Sequence, residues 1–166
     1  MTKTKKLALL AALTAVALTI FVAEAQIPPV VPVPGVKLGL ANIVTLVTMA
    51  LLGRREAGEV LVVRLILGSA FAGGFSGLMF SAAGGAAAYI VMCLLIKVFP
   101  EKLMWVVSVL AALAHNAGQL AVAVWVSGSA SMLYYGTVLA AAGVITGVFT
   151  GFGAMYLTRA AKKLVK

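Results

Sequence analysis

EAQIPPVVPVPGVKLGLANIV, running from Glu24 to Val44, departs furthest from ordinary membrane-helix composition. It holds four of the five prolines, Pro28, Pro29, Pro32 and Pro34, then Lys37, and passes without a break into an apolar run carrying Asn42. Proline fixes φ and has no N–H to donate, so the stretch favours an extended path over a helix. The residues between the prolines are mostly Val and Ile, which gain nothing from standing bare in water. A stiff apolar loop over residues 24–37 reads as the lid or wall of a site, or as a rigid connector packed on helix ends.

Outward from this stretch the chain is apolar in both directions. With 63% hydrophobic residues, 10% charged residues and a mean hydropathy of +1.14, it has too few charges to cover the surface of a soluble domain. The composition predicts an all-α integral membrane protein, one domain over residues 1–166. Six apolar segments follow in order, at about 7–23, 38–53, 60–80, 82–98, 103–126 and 133–157. Each is close to the roughly 20 residues that cross a hydrocarbon core, the second and fourth being short. In lipid every backbone group must be bonded within the segment, so six transmembrane helices are expected.

The net charge of +9 would suggest nucleic acid in a soluble chain. Here the basic residues sit at the ends of apolar runs, which is a topology signal and excludes a nucleic-acid patch. Lys3, Lys5, Lys6, Arg54, Arg55, Lys97, Lys102, Arg159, Lys162, Lys163 and Lys166 all fall on one side of the expected alternation, eleven of the thirteen basic residues. The positive-inside rule then places both termini in the cytoplasm of a cell whose plasma membrane the chain crosses. The outer side receives the proline-rich loop, a tight junction near Ser81 and the loop from Ser127 to Ser131.

The first 25 residues also have the build of a secretory signal, with a basic start, an apolar middle and Ala23-Glu24-Ala25 as a small-x-small site. Ala8 and Ala12, and Ala11 and Ala15, stand at four-residue spacing, giving one smooth helix face for close helix contact. A disposable signal has no need of such a face, so the first helix is expected to be retained. Gly73 and Gly77 in the third expected helix, and Gly143, Gly147 and Gly151 in the sixth, repeat the spacing and predict close packing inside the bundle.

Polar groups inside a membrane are expensive and mark where function lies. His115, Asn116 and Gln119 fall mid-way along the fifth expected helix, on or next to one face. They form a hydrogen-bonding wall, directed to a neighbouring helix or to a ligand. Lys37 and Asn42 occupy the outer start of the second, where a lysine flanked by Gly35 and Gly39 suits a carboxylate or phosphate and the helix dipole adds attraction. Arg64 has two readings. Its guanidinium snorkels to the cytoplasmic interface, or it meets a buried anion, for which Glu24 on the outer side is no obvious candidate. One histidine, the single Cys93 and no aspartate predict no metal site and no cofactor, and Cys93 reads as a small buried apolar residue.

Two of these runs carry a resemblance. PGVKLGLANIV, Pro34 to Val44, and AHNAGQ, Ala114 to Gln119, are similar to the family labelled heptaprenyl diphosphate synthase component I, also called the Gx transporter family. Its members resemble the substrate-binding S components of energy-coupling factor (ECF) transporters. The resemblance implies a six-helix S-component fold that captures a small molecule from outside under the first outer loop. It also implies that alanines of AxxxA spacing, matched here by Ala8, Ala11, Ala12 and Ala15, meet a transmembrane coupling subunit driven by two ATPases. The chain has no GxxxxGK[ST] run, so any nucleotide hydrolysis belongs to a partner.

The synthase label implies an enzyme, and the residues speak against one. Prenyl diphosphate chemistry needs magnesium held by clustered carboxylates. The only acids are Glu24, Glu56, Glu59 and Glu101, so no catalytic residue is expected. A membrane accessory or anchor for a separate synthase stays open as the alternative.

Overall fold

The computed structural model describes residues 2–28, 36–72 and 74–165, with side chains as far as Lys162. The described residues form six α-helices: α1 (Lys3–Glu24), α2 (Asn42–Leu51), α3 (Arg54–Ala72), α4 (Gly74–Leu95), α5 (Met104–Ser127) and α6 (Gly136–Val165). Short 3-10 turns precede α5 and α6, at Glu101–Leu103 and Ala130–Tyr135. Of the six, α1, α4, α5 and α6 are long and apolar enough to cross a membrane. Pro29, Pro32 and Pro34, and with them the lid expected over residues 24–37, lie largely outside the described residues.

Several expected boundaries move, and two of the shifts have a visible reason at a glycine. The second helix begins at Asn42 rather than 38 and ends at Leu51. At ten residues it is about 15 Å long, half a hydrocarbon core, and the helix alone is too short to cross one. Its delayed start follows from Gly39, whose φ of +80° is incompatible with a helix. The Lys37, Gly39 and Leu40 N–H groups are taken by the side chains of Gln119 and Glu24 instead. The third helix ends at Ala72, and α4 opens at Gly74 with φ +56°. The break therefore falls by Gly74, and Ser81, expected at the junction, lies buried inside α4.

The helices pack with α5 against α4 and α6, α3 against α1, α2 and α4, and the short α2 in contact with every other α-helix. One core gathers Leu46, Val47, Met92, Met104, Val107 and Ala154 from α2, α4, α5 and α6, and a smaller one joins Ala17, Val44 and Val60. Contact between α5 and α6 is close because of small residues. A Cβ on Gly147 or Gly151 would come within 2.6 Å of Val109 Cα or 2.5 Å of Trp105 Cα. Gly77 differs from the expected stripe: it belongs to α4, and a Cβ there would meet nothing within 4 Å. Large apolar side chains crowd the outside of the bundle, among them Phe71, Phe75, Trp125, Ile145, Phe149 and Tyr156.

Ion pairs gather where the basic clusters were read. Lys6 reaches Glu56 at 2.5 Å, tying the start of α1 to that of α3. Glu101 before α5 is held by Lys162, with Arg159 at 3.5 Å, on α6. The hydrogen bond from Lys162, with the nearby positive charges of Lys162 and Arg159, holds the Glu101 carboxyl below its ordinary 4.5. A depressed carboxyl gives stability that is full above the unfolded value and is lost as pH falls through the folded one. Acid titration of thermal unfolding should therefore show a decline beginning near pH 4.5 to which Glu101 contributes, and Glu101→Gln should remove that part. An identical acid limb in wild type and variant would mean that the pair contributes nothing.

Candidate functional site

Five elements bring polar side chains to one buried place beneath residues 36–41. α1 supplies Phe21 and Glu24, α2 Asn42, α3 Arg64, α4 Ser81, and α5 His115 and Gln119. Glu24, Arg64, Asn42, His115, Gln119 and Ser81 are each under one-tenth exposed, and Gln119 is fully buried. So many polar groups survive burial only if they bond to one another.

The bonds run in a chain. Arg64 Nη2 donates to Asn42 Oδ1 at 3.3 Å, and Asn42 Nδ2 stands 3.1 Å from His115 Nδ1. On the far side of the ring Gln119 Nε2 lies 2.9 Å from His115 Nε2. Gln119 Oε1 in turn accepts the Lys37 backbone N–H at 3.1 Å. His115 and Gln119 meet because one turn of helix separates them, as their spacing predicted. The ring is gripped on two sides: a Cβ on Gly39 would sit 2.8 Å from His115 Cδ2, and one on Gly84 would sit 2.7 Å from Cε1. Lys37 to Asn42 and His115 to Gln119 thus face each other in space, glycine to imidazole.

Glu24 closes the arrangement from α1. Its carboxylate accepts the Gly39 N–H at 2.5 Å and the Leu40 N–H at 3.1 Å, fixing the turn before α2. The Lys37 ammonium stands 3.4 Å from the centroid of the Phe21 ring, and the Arg64 guanidinium carbon 5.9 Å from it. Both cations exploit the negative face of that ring. Phe21, Glu24, Lys37, Gly39, Arg64, Ser81 and His115 line a cavity of about 10 Å³, roughly the room one water needs.

The placement differs from the sequence reading at four residues. Arg64 does not snorkel to an interface: it is 3% exposed, ten residues into a helix that starts earlier than expected, and directed at Asn42 and Phe21. Glu24, set aside as a partner, is buried beside Lys37 and Arg64 because the chain at Gly39 and Leu40 lies over the end of α1. Asn116 turns away from His115 and donates to the Leu139 carbonyl of α6 at 2.6 Å. Lys37 lies in non-helical chain ahead of α2, so it and Asn42 sit close together without sharing a helix. Glu24, Arg64, Ser81 and Phe21 were the residues missed. The signal for Arg64 and Glu24 was present, since they are charges adjoining apolar runs with no counter-ion nearby in sequence. Phe21 and Ser81 gave none.

Ala8, Ala11, Ala12 and Ala15 are exposed on α1, turned from the cores. Ala11 and Ala15 line a groove of about 480 Å³ between α1 and α3, with Leu7, Leu10, Leu18 and Leu67. Cys93 is half-buried. Among the described residues no three His, Cys, Asp or Glu side chains gather as a metal site.

No curated protein and no solved structure matches this chain. A family profile described as heptaprenyl diphosphate synthase component I matches residues 13–157, spanning the cluster at Glu24, Lys37, Arg64 and His115 and all but the ends of the bundle. The chain belongs to the heptaprenyl diphosphate synthase component I family.

Proposed function

We propose that this chain is a plasma-membrane subunit, without catalysis of its own, that captures a small anionic or amphiphilic molecule from outside, in the manner of an S component of an ECF transporter. The carrying observation is the convergence of Lys37, Glu24, Arg64 and His115 on one cavity beneath residues 36–41, with Asn42 and Gln119 hydrogen-bonded to the His115 ring behind it. The apolar exterior and the four long helices support a membrane setting. A bilayer tolerates such charges only where they face a partner or a pathway. Asn116 is not part of this reading of the site, since it donates to Leu139 of α6. The cavity is far below the roughly 300 Å³ of a small-molecule pocket, so capture requires Phe21 and Lys37 to draw apart.

Phe21 and Glu24 belong to the same helix as the exposed alanines, so whatever moves α1 also opens the site. In this reading a transmembrane coupling subunit, driven by ATPases, packs on Ala8, Ala11, Ala12 and Ala15. Ala12→Trp should abolish co-purification with that subunit while leaving ligand binding intact. Undiminished co-purification would remove the alanine face from the interface. Lys37→Ala should weaken binding roughly 10- to 100-fold, the worth of one charge-assisted hydrogen bond, with the thermal midpoint nearly unchanged. Equal affinity in the variant would take Lys37 out of the site.

The family description favours a second reading, a membrane accessory or anchor of prenyl diphosphate synthesis. That reading predicts co-purification with a soluble prenyl synthase and no retained ligand.

A further inference from the structure

The buried cluster has more hydrogen-bond donors than acceptors. Arg64 Nη2 and the Lys37 N–H occupy the side-chain oxygens of Asn42 and Gln119, so both amides turn their NH2 groups to His115. A neutral imidazole offers one acceptor nitrogen and one N–H. One amide therefore faces an N–H, and flipping it merely moves the conflict to Arg64 or Lys37. The Gly84 carbonyl lies near enough to take the ring proton, which still leaves one NH2 without an acceptor. Lys37 Nζ, Arg64 Nε and Ser81 Oγ are also buried with no hydrogen-bond partner among the described residues.

All three of those residues line the cavity of about 10 Å³. Glu24 is the one acid lining it; both its oxygens already accept backbone N–H groups, and no ion pair within 4.0 Å joins it to another of the described residues. With Lys37 and Arg64 protonated and Glu24 ionised, one positive charge is left over. Buried donors and a buried charge without partners each carry a substantial cost. A water accepts from two of these donors and passes its own hydrogens to the remaining lone pairs of Glu24, but it brings no charge to balance the excess. What is missing is an acceptor with a negative charge.

We propose that this cavity binds a single monovalent anion, held by Lys37 Nζ, Arg64 Nε and Ser81 Oγ, either a free halide or the carboxylate of a larger molecule. The inference deepens the capture reading, on which it rests, by naming the chemistry of one subsite and adding Arg64 and Ser81 to it. A halide needs a small widening of the space, whereas a carboxylate needs the Lys37 side chain to lift from Phe21.

The test uses the full chain in detergent, with thermal unfolding followed by tryptophan fluorescence at constant ionic strength. Sodium isethionate, a sulfonate too bulky for the cavity, is replaced stepwise by sodium chloride, bromide or acetate. The expected result is a saturable rise in midpoint, roughly 5 °C at a hundredfold excess over Kd, reduced or lost in Lys37→Gln and Ser81→Ala. A rise with halides alone identifies a free ion; a rise with acetate as well identifies a carboxylate subsite. The same midpoint in all four salts, or an undiminished rise in both variants, overturns the proposal. Should a variant fail to fold, the wild-type salt series decides. Failure of the capture reading shows separately, as the absence of any co-purifying molecule from a protein that still responds to the anion.

Discussion

Glu24→Ala is expected to destabilise the folded protein by about 3–5 kcal/mol, the usual cost of removing one member of a buried charged group. The substitution leaves the Gly39 and Leu40 N–H groups without acceptors and strips Lys37 and Arg64 of the one acid that lines their cavity. Glu24 also joins the end of α1 to the turn before α2, so the loss loosens the contact between the two helices. In a chain of this size the thermal midpoint should fall on the order of 10 °C. Glu24→Gln keeps one oxygen for one of the two N–H groups and should fall between the variant and wild type. A midpoint for Glu24→Ala within about 1 °C of wild type would show that the carboxylate is not what holds this region together.

The second large effect concerns the seam between α5 and α6. A Cβ at Gly151 would lie 2.5 Å from Trp105 Cα and 2.9 Å from Ser108 Cβ, and one at Gly147 would lie 2.6 Å from Val109 Cα. Backbone atoms of a packed helix do not step aside as a side-chain tip does, so the helices must separate. Gly147→Ala with Gly151→Ala should cost about 1–3 kcal/mol for each substitution and strain the buried Ser108–Thr150 hydrogen bond, 2.9 Å long, that bridges the same seam. Gly77→Ala is the control, since open space surrounds it, and helix propensity alone predicts a gain of at most about 1 kcal/mol. Comparable losses in the double variant and the control, read from thermal unfolding in one detergent, would contradict close contact at the seam.

The all-helical architecture was legible in the sequence, and so were most of the helix positions, because apolar runs and basic ends record them directly. Boundaries that depend on single glycines were less so. Hydropathy alone does not distinguish Gly74, with its positive φ, from the glycines inside α4, and the break was assigned seven residues late, at Ser81. The length of α2 was overestimated for a related reason. Leu38, Gly39 and Leu40 continue the apolar run, yet the Gly39 and Leu40 N–H groups are committed to Glu24, a residue 15 positions away from Gly39.

At the site, the polarity argument found the groups that lie mid-way along a helix. It placed His115 and Gln119 together from their spacing, and Lys37 and Asn42 near them. It did not find that Arg64 and Glu24 meet there. That depends on how far α3 extends toward its start and on the fold-back of the chain over α1, both products of tertiary packing. Asn116 shows the converse limit: adjacent to His115 in sequence, it is rotated about 100° around the helix axis and belongs to the contact with α6.

Native mass spectrometry of the gently purified protein, under conditions that keep bound lipid attached, tests most directly whether the buried polar cluster serves a ligand. The predicted spectrum shows the 17.0 kDa chain carrying a small anionic molecule that Lys37→Ala loses. A spectrum of the chain with lipid alone, the same for wild type and variant, would contradict the account.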